Sequence, residues 1–197
     1  MASVNKHDEY PVLFFKNAAG YEKWLAKNHA SADGVWLKVA KANTGIPSVT
    51  HAEALDASLC YGWIDGLRRG LDEKYFVQKF TPRRPNSIWS VINKKKVDVL
   101  TKAGKMQPAG LAAIDDAKKN GRWNKAYHSQ KTMAVPEDLQ QALDKNVKAK
   151  KFFAALSSQN RYSILFRIGN VKKEETRKRK ITEFVAMLAK HETIYPQ

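Results

Sequence analysis

The chain has 197 residues, 43% of them hydrophobic, one cysteine and a formal net charge of +16. That length fits one large domain or two small ones, and that apolar share can build a core. The lone Cys60 excludes an internal disulfide and a cysteine zinc cluster. The excess of positive charge suits polyanionic partners, namely nucleic acid, phosphorylated ligands or anionic membrane surfaces, or else it makes only a basic surface.

In chain order, residues 1–10 read as a polar lead without the apolar core of an export signal, and no stretch approaches the roughly 18 apolar residues of a membrane span. The cytoplasm is the expected location. The apolar run 12–15 can enter a sheet. Asn17 can cap a helix that carries Tyr21, Trp24 and Leu25 on one face. After the Asp33-Gly34 turn, the β-branched and aromatic segment 35–41 reads as a strand.

Thr50-His51-Ala52-Glu53 is a capping box, and the helix it opens is expected to bury Ala52, Leu55 and Leu59 before Gly62 ends it. Residues 63–70 and 75–81 read as a hairpin across Leu71-Asp72-Glu73-Lys74. Pro82 and Pro85 stop its second strand. Asn86 or Ser87 is expected to cap a helix running to about Ala103. Pro108 suits the first turn of another, with Leu111, Ile114 and Ala117 inward and Gly121 at its end.

Residues 122–135 are polar and carry no clear period. Beyond them the chain reads as helical throughout: Pro136 opens one helix, Phe152, Phe153 and Leu156 give a second its apolar face, and Ser158 can cap a third. Ile181, Phe184, Val185 and Leu188 mark a fourth at i, i+3, i+4, i+7 spacing. The expected class is α+β: a small antiparallel sheet with helices over residues 1–130, and a helical module over 131–197 packed on it.

Three constellations could carry chemistry. In Thr81-Pro82-Arg83-Arg84-Pro85-Asn86-Ser87-Ile88-Trp89-Ser90, two arginines sit in a proline-braced loop that leads into a helix N-terminus. Unsatisfied N–H groups and the helix dipole attract anions there, and guanidinium forks match phosphate or carboxylate. Arg83, Arg84 and Ser87 are ligand-binding candidates, with Trp89 as a stacking ring. The alternative is a solvated loop whose arginines pair with acids and whose Trp89 is core.

In Cys60-Tyr61-Gly62-Trp63-Ile64-Asp65-Gly66, strand geometry puts Trp63 and Asp65 on one face. Asp65 is a candidate acid or base beside a large ring, or else part of a strand bend with Trp63 in the core. Trp63 and Lys41 complete the ligand-binding candidates. Cys60, at a helix end, reads as a buried apolar residue rather than a nucleophile. Over 172–180 the charges read as a solvated helix face, with Glu174–Lys178 and Glu175–Arg179 as i,i+4 pairs. The five histidines lack metal-ligand spacing, and no cofactor motif is present, so neither a metal nor a cofactor is expected.

The segments Gly34-Val-Trp-Leu-Lys-Val-Ala-Lys, Glu53-Ala-Leu, Cys60-Tyr-Gly-Trp-Ile-Asp-Gly, Phe80-Thr-Pro-Arg-Arg-Pro-Asn-Ser-Ile-Trp-Ser and Thr176-Arg-Lys-Arg-Lys-Ile resemble the YdeI/OmpD-associated family, also called bacteriocin-protection proteins. The resemblance runs from about residue 10 to about 190. It implies a part in envelope stress, protecting against bacteriocins or cationic peptides, and brings no established catalytic residues. Some members of that family are presumed periplasmic, whereas this sequence shows no export signal.

The leading expectation is a stress-protection protein that binds a small anionic ligand near Arg83 and Arg84. One alternative is an enzyme acting on a phosphorylated or carboxylated small molecule, with Asp65 as acid or base and the arginines as clamp. Another is a nucleic-acid binder using a broad basic face, with binding weak and non-specific. The sequence leaves the oligomeric state open.

Overall fold

The computed structural model describes residues 10–127 and 133–197. The chain divides into two compact units, Met1–Ala126 and Tyr127–Gln197. Of the polar lead expected over 1–10 only Tyr10 is described, and part of the polar stretch 122–135 also lies outside the described residues. No helix among the described residues is long and apolar enough to cross a membrane.

In the first unit the elements run β1 (Val12–Phe14), α1 (Ala18–Asn28), β2 (Val35–Ala40), α2 (His51–Cys60), β3 (Trp63–Gly70), β4 (Tyr75–Pro82), α3 (Val91–Lys102) and α4 (Pro108–Lys119). The strands form one sheet in the order β1-β2-β4-β3. β2 with β4 and β4 with β3 are antiparallel, as a hairpin sheet requires, but β1 lies parallel to β2. The cause is α1: a helix between two strands is a crossover, and a crossover returns the chain in the same direction. With helices packed on the sheet, this unit is α+β.

Local chemistry sets the helix starts. The Asn17 side chain accepts from Gly20 N–H at 3.0 Å. Thr50 and Glu53 close both halves of the capping box, with Thr50 N–H to Glu53 Oε2 at 2.9 Å and Glu53 N–H to Thr50 Oγ1 at 3.2 Å. Those donors hold the Glu53 carboxyl below its ordinary pKa. α3 differs from expectation. It is capped by Ser90, whose Oγ accepts from Asn93 N–H at 3.0 Å, and not by Asn86 or Ser87. Three serines and asparagines precede Val91, and all have the right chemistry; the burial of Trp89 and Ser90 decides among them. Ala52 and Leu111, expected inward, are exposed.

The core lies between α1, α2 and one sheet face, with Tyr21, Leu25, Val35, Leu37, Trp63 and Phe80 fully or almost fully buried. The Tyr21 hydroxyl is bonded to Ser58 at 2.9 Å, and burial raises its pKa well above the ordinary tyrosine value. The β3–β4 register slips between Asp65 and Arg68. Buried Gln78 fills the slip: its amide donates to the carbonyls of Gly66 at 2.9 Å and Leu67 at 3.2 Å, and its oxygen accepts from Arg68 Nε at 3.2 Å. A bulge leaves carbonyls without ladder partners, and a buried primary amide satisfies them.

α4 meets the α2–β3 turn at backbone distance. Gln107 N–H donates to Cys60 O at 3.0 Å. A Cβ on Gly110 would run into that same Cys60 carbonyl, and one on Gly62, at φ +75°, would come within 2.8 Å of Ala109 O.

The second unit, among its described residues, is helical with no strand: α5 (Glu137–Asp144), α6 (Val147–Ala155), α7 (Ser158–Gly169) and α8 (Glu174–Ala189). Leu139, Leu143, Ile164, Ile168, Phe184 and Leu188 are among its core residues. The cap of α7 is Ser157, one residue before the expected Ser158. On α8, Lys178 pairs with Glu174 at 2.8 Å as expected, while Arg179 reaches forward to Glu183 at 3.6 Å instead of back to Glu175.

Arg177 is no part of a solvated face. Its Nε and Nη2 donate to both Asp138 carboxylate oxygens of α5, at 2.6 and 2.9 Å, and its Nη1 donates to the Ile168 carbonyl near the end of α7 at 2.9 Å. One planar fork thus ties α5, α7 and α8 together.

Two outcomes follow. Gly110→Ala should destabilise the first unit by about 1–3 kcal/mol, as inserting a methyl into closed packing does, and thermal melts read this directly. Arg177→Ala should cost the second unit about 1–2 kcal/mol, between a surface pair and a buried charged hydrogen bond. The Arg177 guanidinium holds the Asp138 carboxyl below its usual range. The stability it contributes is therefore complete above the ordinary aspartate pKa of about 4 and disappears as pH falls through the lowered folded value. The gap between wild type and Arg177→Ala should close in acid; an unchanged gap would contradict the assignment.

Candidate functional site

Past Pro82 the chain leaves the sheet. Arg83 N–H donates to Gly62 O at 2.9 Å, which holds the loop against the α2–β3 turn. Ser87 closes a turn on Arg84, with Ser87 N–H to Arg84 O at 2.9 Å and Arg84 N–H to Ser87 Oγ at 2.9 Å. Ser87 thus caps a turn and not the helix. The anion site expected at a helix start beside it is corrected accordingly, because the first N–H groups of α3 lie beyond Ser90.

The two arginines part company. The Arg83 guanidinium carbon stands 3.6 Å from the centre of the Trp89 ring, and its Nη1 donates to Ile88 O at 3.3 Å. Trp89 is 2% exposed and meets Trp123 edge-on at 5.0 Å. It serves as the ledge on which Arg83 rests, not as an open ring for a ligand. Arg84 is exposed.

A third arginine completes the group. Gly121, at φ +74°, ends α4 and turns Arg122 back toward the loop. Arg122 Nη2 pairs with Asp116 at 2.5 Å, while its Nε is buried with no hydrogen-bond partner among the described residues. Arg83, Arg84, Ser87, Trp89, Asp116 and Arg122 line one small cleft of about 120 Å³. A broader hollow of about 690 Å³ reaches Arg83 and Arg84 from the side of Tyr10, Asp33 and Gly34.

Arg122 was invisible in the sequence, falling in the polar stretch after α4. The signal was Gly121-Arg122-Trp123, a helix stop followed by a large ring in polar surroundings.

The remaining candidates lie elsewhere. Trp63 is 1% exposed, donates from its indole to His29 O at 3.1 Å and meets Trp24 edge-on; it is core and lines neither cleft that Arg83 lines. Lys41 lines a separate cleft with Asn43, Thr50, His51 and Arg68. Asp65 has a partner the sequence did not suggest: His51 Nε2 lies 3.2 Å from its Oδ2, both side chains about one-third exposed. The helix start and the strand meet across 14 residues, and no spacing motif marks such a pair. Neither cleft lined by Arg83 includes Asp65, so the clamp expected of an enzyme is not assembled in them.

A family model described as a domain of unknown function (DUF8412) matches residues 13–113, about half of the chain, and the chain belongs to that family. Residues 132–191 match the family described as Bacteriocin-protection, YdeI or OmpD-Associated, the one its motifs resemble. The motifs quoted between Gly34 and Ser90 fall within the first match and Thr176-Arg-Lys-Arg-Lys-Ile within the second. No curated protein and no solved structure matches the chain.

Cys60 is buried beside a hollow also lined by Glu22, Asp56 and Lys105. Burial first, and the Glu22 and Asp56 carboxylates second, push its thiol up to about 11. At pH 8 the folded protein should react with a thiol reagent at least tenfold more slowly than the unfolded chain. Equal rates would contradict the burial.

Proposed function

We propose that this chain is a stress-protection protein of the YdeI/OmpD-associated kind, acting in the cytoplasm, that holds a small phosphate- or carboxylate-bearing ligand in the cleft between Arg83, Arg84 and Arg122. The observation that carries the reading is the buried Arg122 Nε, a donor with no acceptor among the described residues, on a side chain that lines the cleft. An unmet buried donor of a permanent cation is costly, and a bound oxyanion would meet it.

The chemistry of the lining supports a small ligand. Arg83, Arg84 and Arg122 all line the cleft, and planar guanidinium forks suit a phosphate or carboxylate. Arg83 is held in place by the Trp89 ring and the loop by Gly62, so little freedom remains to be lost on binding. The exposed Arg84 supplies the arm that closes on the ligand. Cytoplasmic placement accords with the single, buried thiol and is checked by cell fractionation.

Isothermal titration with inorganic phosphate, sulfate and citrate tests the site. Arg84→Ala should weaken binding about tenfold, in line with the loss of one charge-assisted hydrogen bond, and leave the melting temperature nearly unchanged. Arg122→Lys, which keeps the charge but loses the fork, should weaken it comparably. Undiminished binding in both variants would sink the site. In a strain made sensitive to a bacteriocin by loss of this protein, wild type but not Arg84→Ala/Arg122→Lys should restore survival.

A further inference from the structure

The sheet of the first unit has two unlike faces. Val35, Leu37, Val39 and Phe80 turn toward α1 and α2 and belong to the core. By register and pleat, Phe14, Trp36, Lys38, Tyr75 and Lys79 stand on the opposite face, and none of them belongs to that core. The outer face of such a sheet is ordinarily polar. Here it carries aromatic rings attended by cations. Lys38 Nζ lies 3.9 Å from the Tyr75 ring centre. The Arg69 guanidinium stands 5.0 Å and Lys79 Nζ 5.7 Å from the Trp36 ring centre.

Phe14 and Tyr75 sit on β1 and β4, two strands apart, yet their ring centres are only 6.1 Å from each other. Strand spacing alone would separate them by about 10 Å. The rings therefore reach toward each other over β2, where the cross-strand partner of Tyr75 is the small Ala40. Phe14 is 41% exposed.

We propose that this outer sheet face binds single-stranded nucleic acid, with bases stacked on Phe14 and Tyr75 and phosphates held by Lys38 and Lys79. Rings laid over a sheet can be stacked only by bases that are not already stacked in a duplex. The cations fit the same occupant. Stacking of a base outweighs an exposed cation–π contact, so a base takes the Tyr75 face and Lys38 swings to the neighbouring phosphate. Among the described residues, Asp72 is an acid whose field reaches Lys38, and its carboxylate already accepts from the Lys74 and Tyr75 N–H groups at 2.8 and 2.7 Å. This surface is separate from the arginine cleft and does not depend on it.

Fluorescence anisotropy of the full chain with labelled oligo-U and oligo-dT tests the proposal, against a duplex of equal length and inorganic polyphosphate. Both single strands, or one in preference to the other, should bind, with the logarithm of affinity falling against that of salt with a slope of about −1.4, as two neutralised phosphates require. Duplex and polyphosphate should bind at least tenfold more weakly. Phe14→Leu/Tyr75→Leu should lose about tenfold for single strands with the salt slope kept, and Arg84→Ala should lose nothing. If the leucine pair does not fold by circular dichroism, Lys38→Glu carries the test, with at least a tenfold loss expected. Absence of binding at 50 mM salt, equal affinity for polyphosphate or duplex, or full affinity in the folded leucine pair or in Lys38→Glu would each overturn the proposal.

Discussion

Gly62 is the point on which the first unit turns. Its positive φ lets the chain leave α2 and enter β3 without an intervening loop. Its missing side chain admits the Ala109 carbonyl, so α4 packs by backbone against the α2–β3 turn. Its own carbonyl takes the Arg83 N–H and fixes where the arginine loop departs from the sheet. Ala113, one turn further along α4, then lines the cleft of the three arginines. A substituent at this position would have to move a helix, a strand and a loop together. The geometry of the cleft is therefore inherited from a glycine that does not itself line it.

The arginines show how one residue type serves by its surroundings. Arg177 meets two carboxylate oxygens and a carbonyl, and locks three helices. Arg83 lies flat on Trp89, where its weak hydration lets it approach a buried ring. Arg122 satisfies one nitrogen with Asp116 and buries another with no partner among the described residues. A lysine could make none of these arrangements, since each uses the plane of the guanidinium. The formal charge of +16 is thus partly structural, and only its remainder is available for partners.

Much of the fold was legible because it rests on local rules. The Thr50–Glu53 box, the hairpin across 71–74, Pro108 and Gly121 each act within a few residues, and the structure has them where the sequence put them. What was not legible depends on long-range contact. Ser87 and Ser90 are equally good caps in isolation, and only the burial of Trp89 selects the second. The parallel pairing of β1 needed the docking of α1. Arg83 and Arg84 are singled out by their proline-braced loop, whereas Arg122 lines the same cleft from nearly 40 residues away and His51 meets Asp65 from another element. Trp63 and Trp89 looked like functional rings because composition cannot separate a core tryptophan from a binding one.

The slipped register of β3 has a consequence for life at high concentration. β3 is an outer strand of the sheet, and an outer strand with open hydrogen-bonding groups invites pairing with another chain. Here the ladder breaks between Asp65 and Arg68, and the Gln78 amide occupies the Gly66 and Leu67 carbonyls from inside. A strand approaching from outside finds a kinked backbone with those acceptors already engaged, flanked by the like charges of Arg68 and Arg69. The same glutamine that repairs the sheet internally makes its border a poor template for growth, guarding the chain against runaway aggregation.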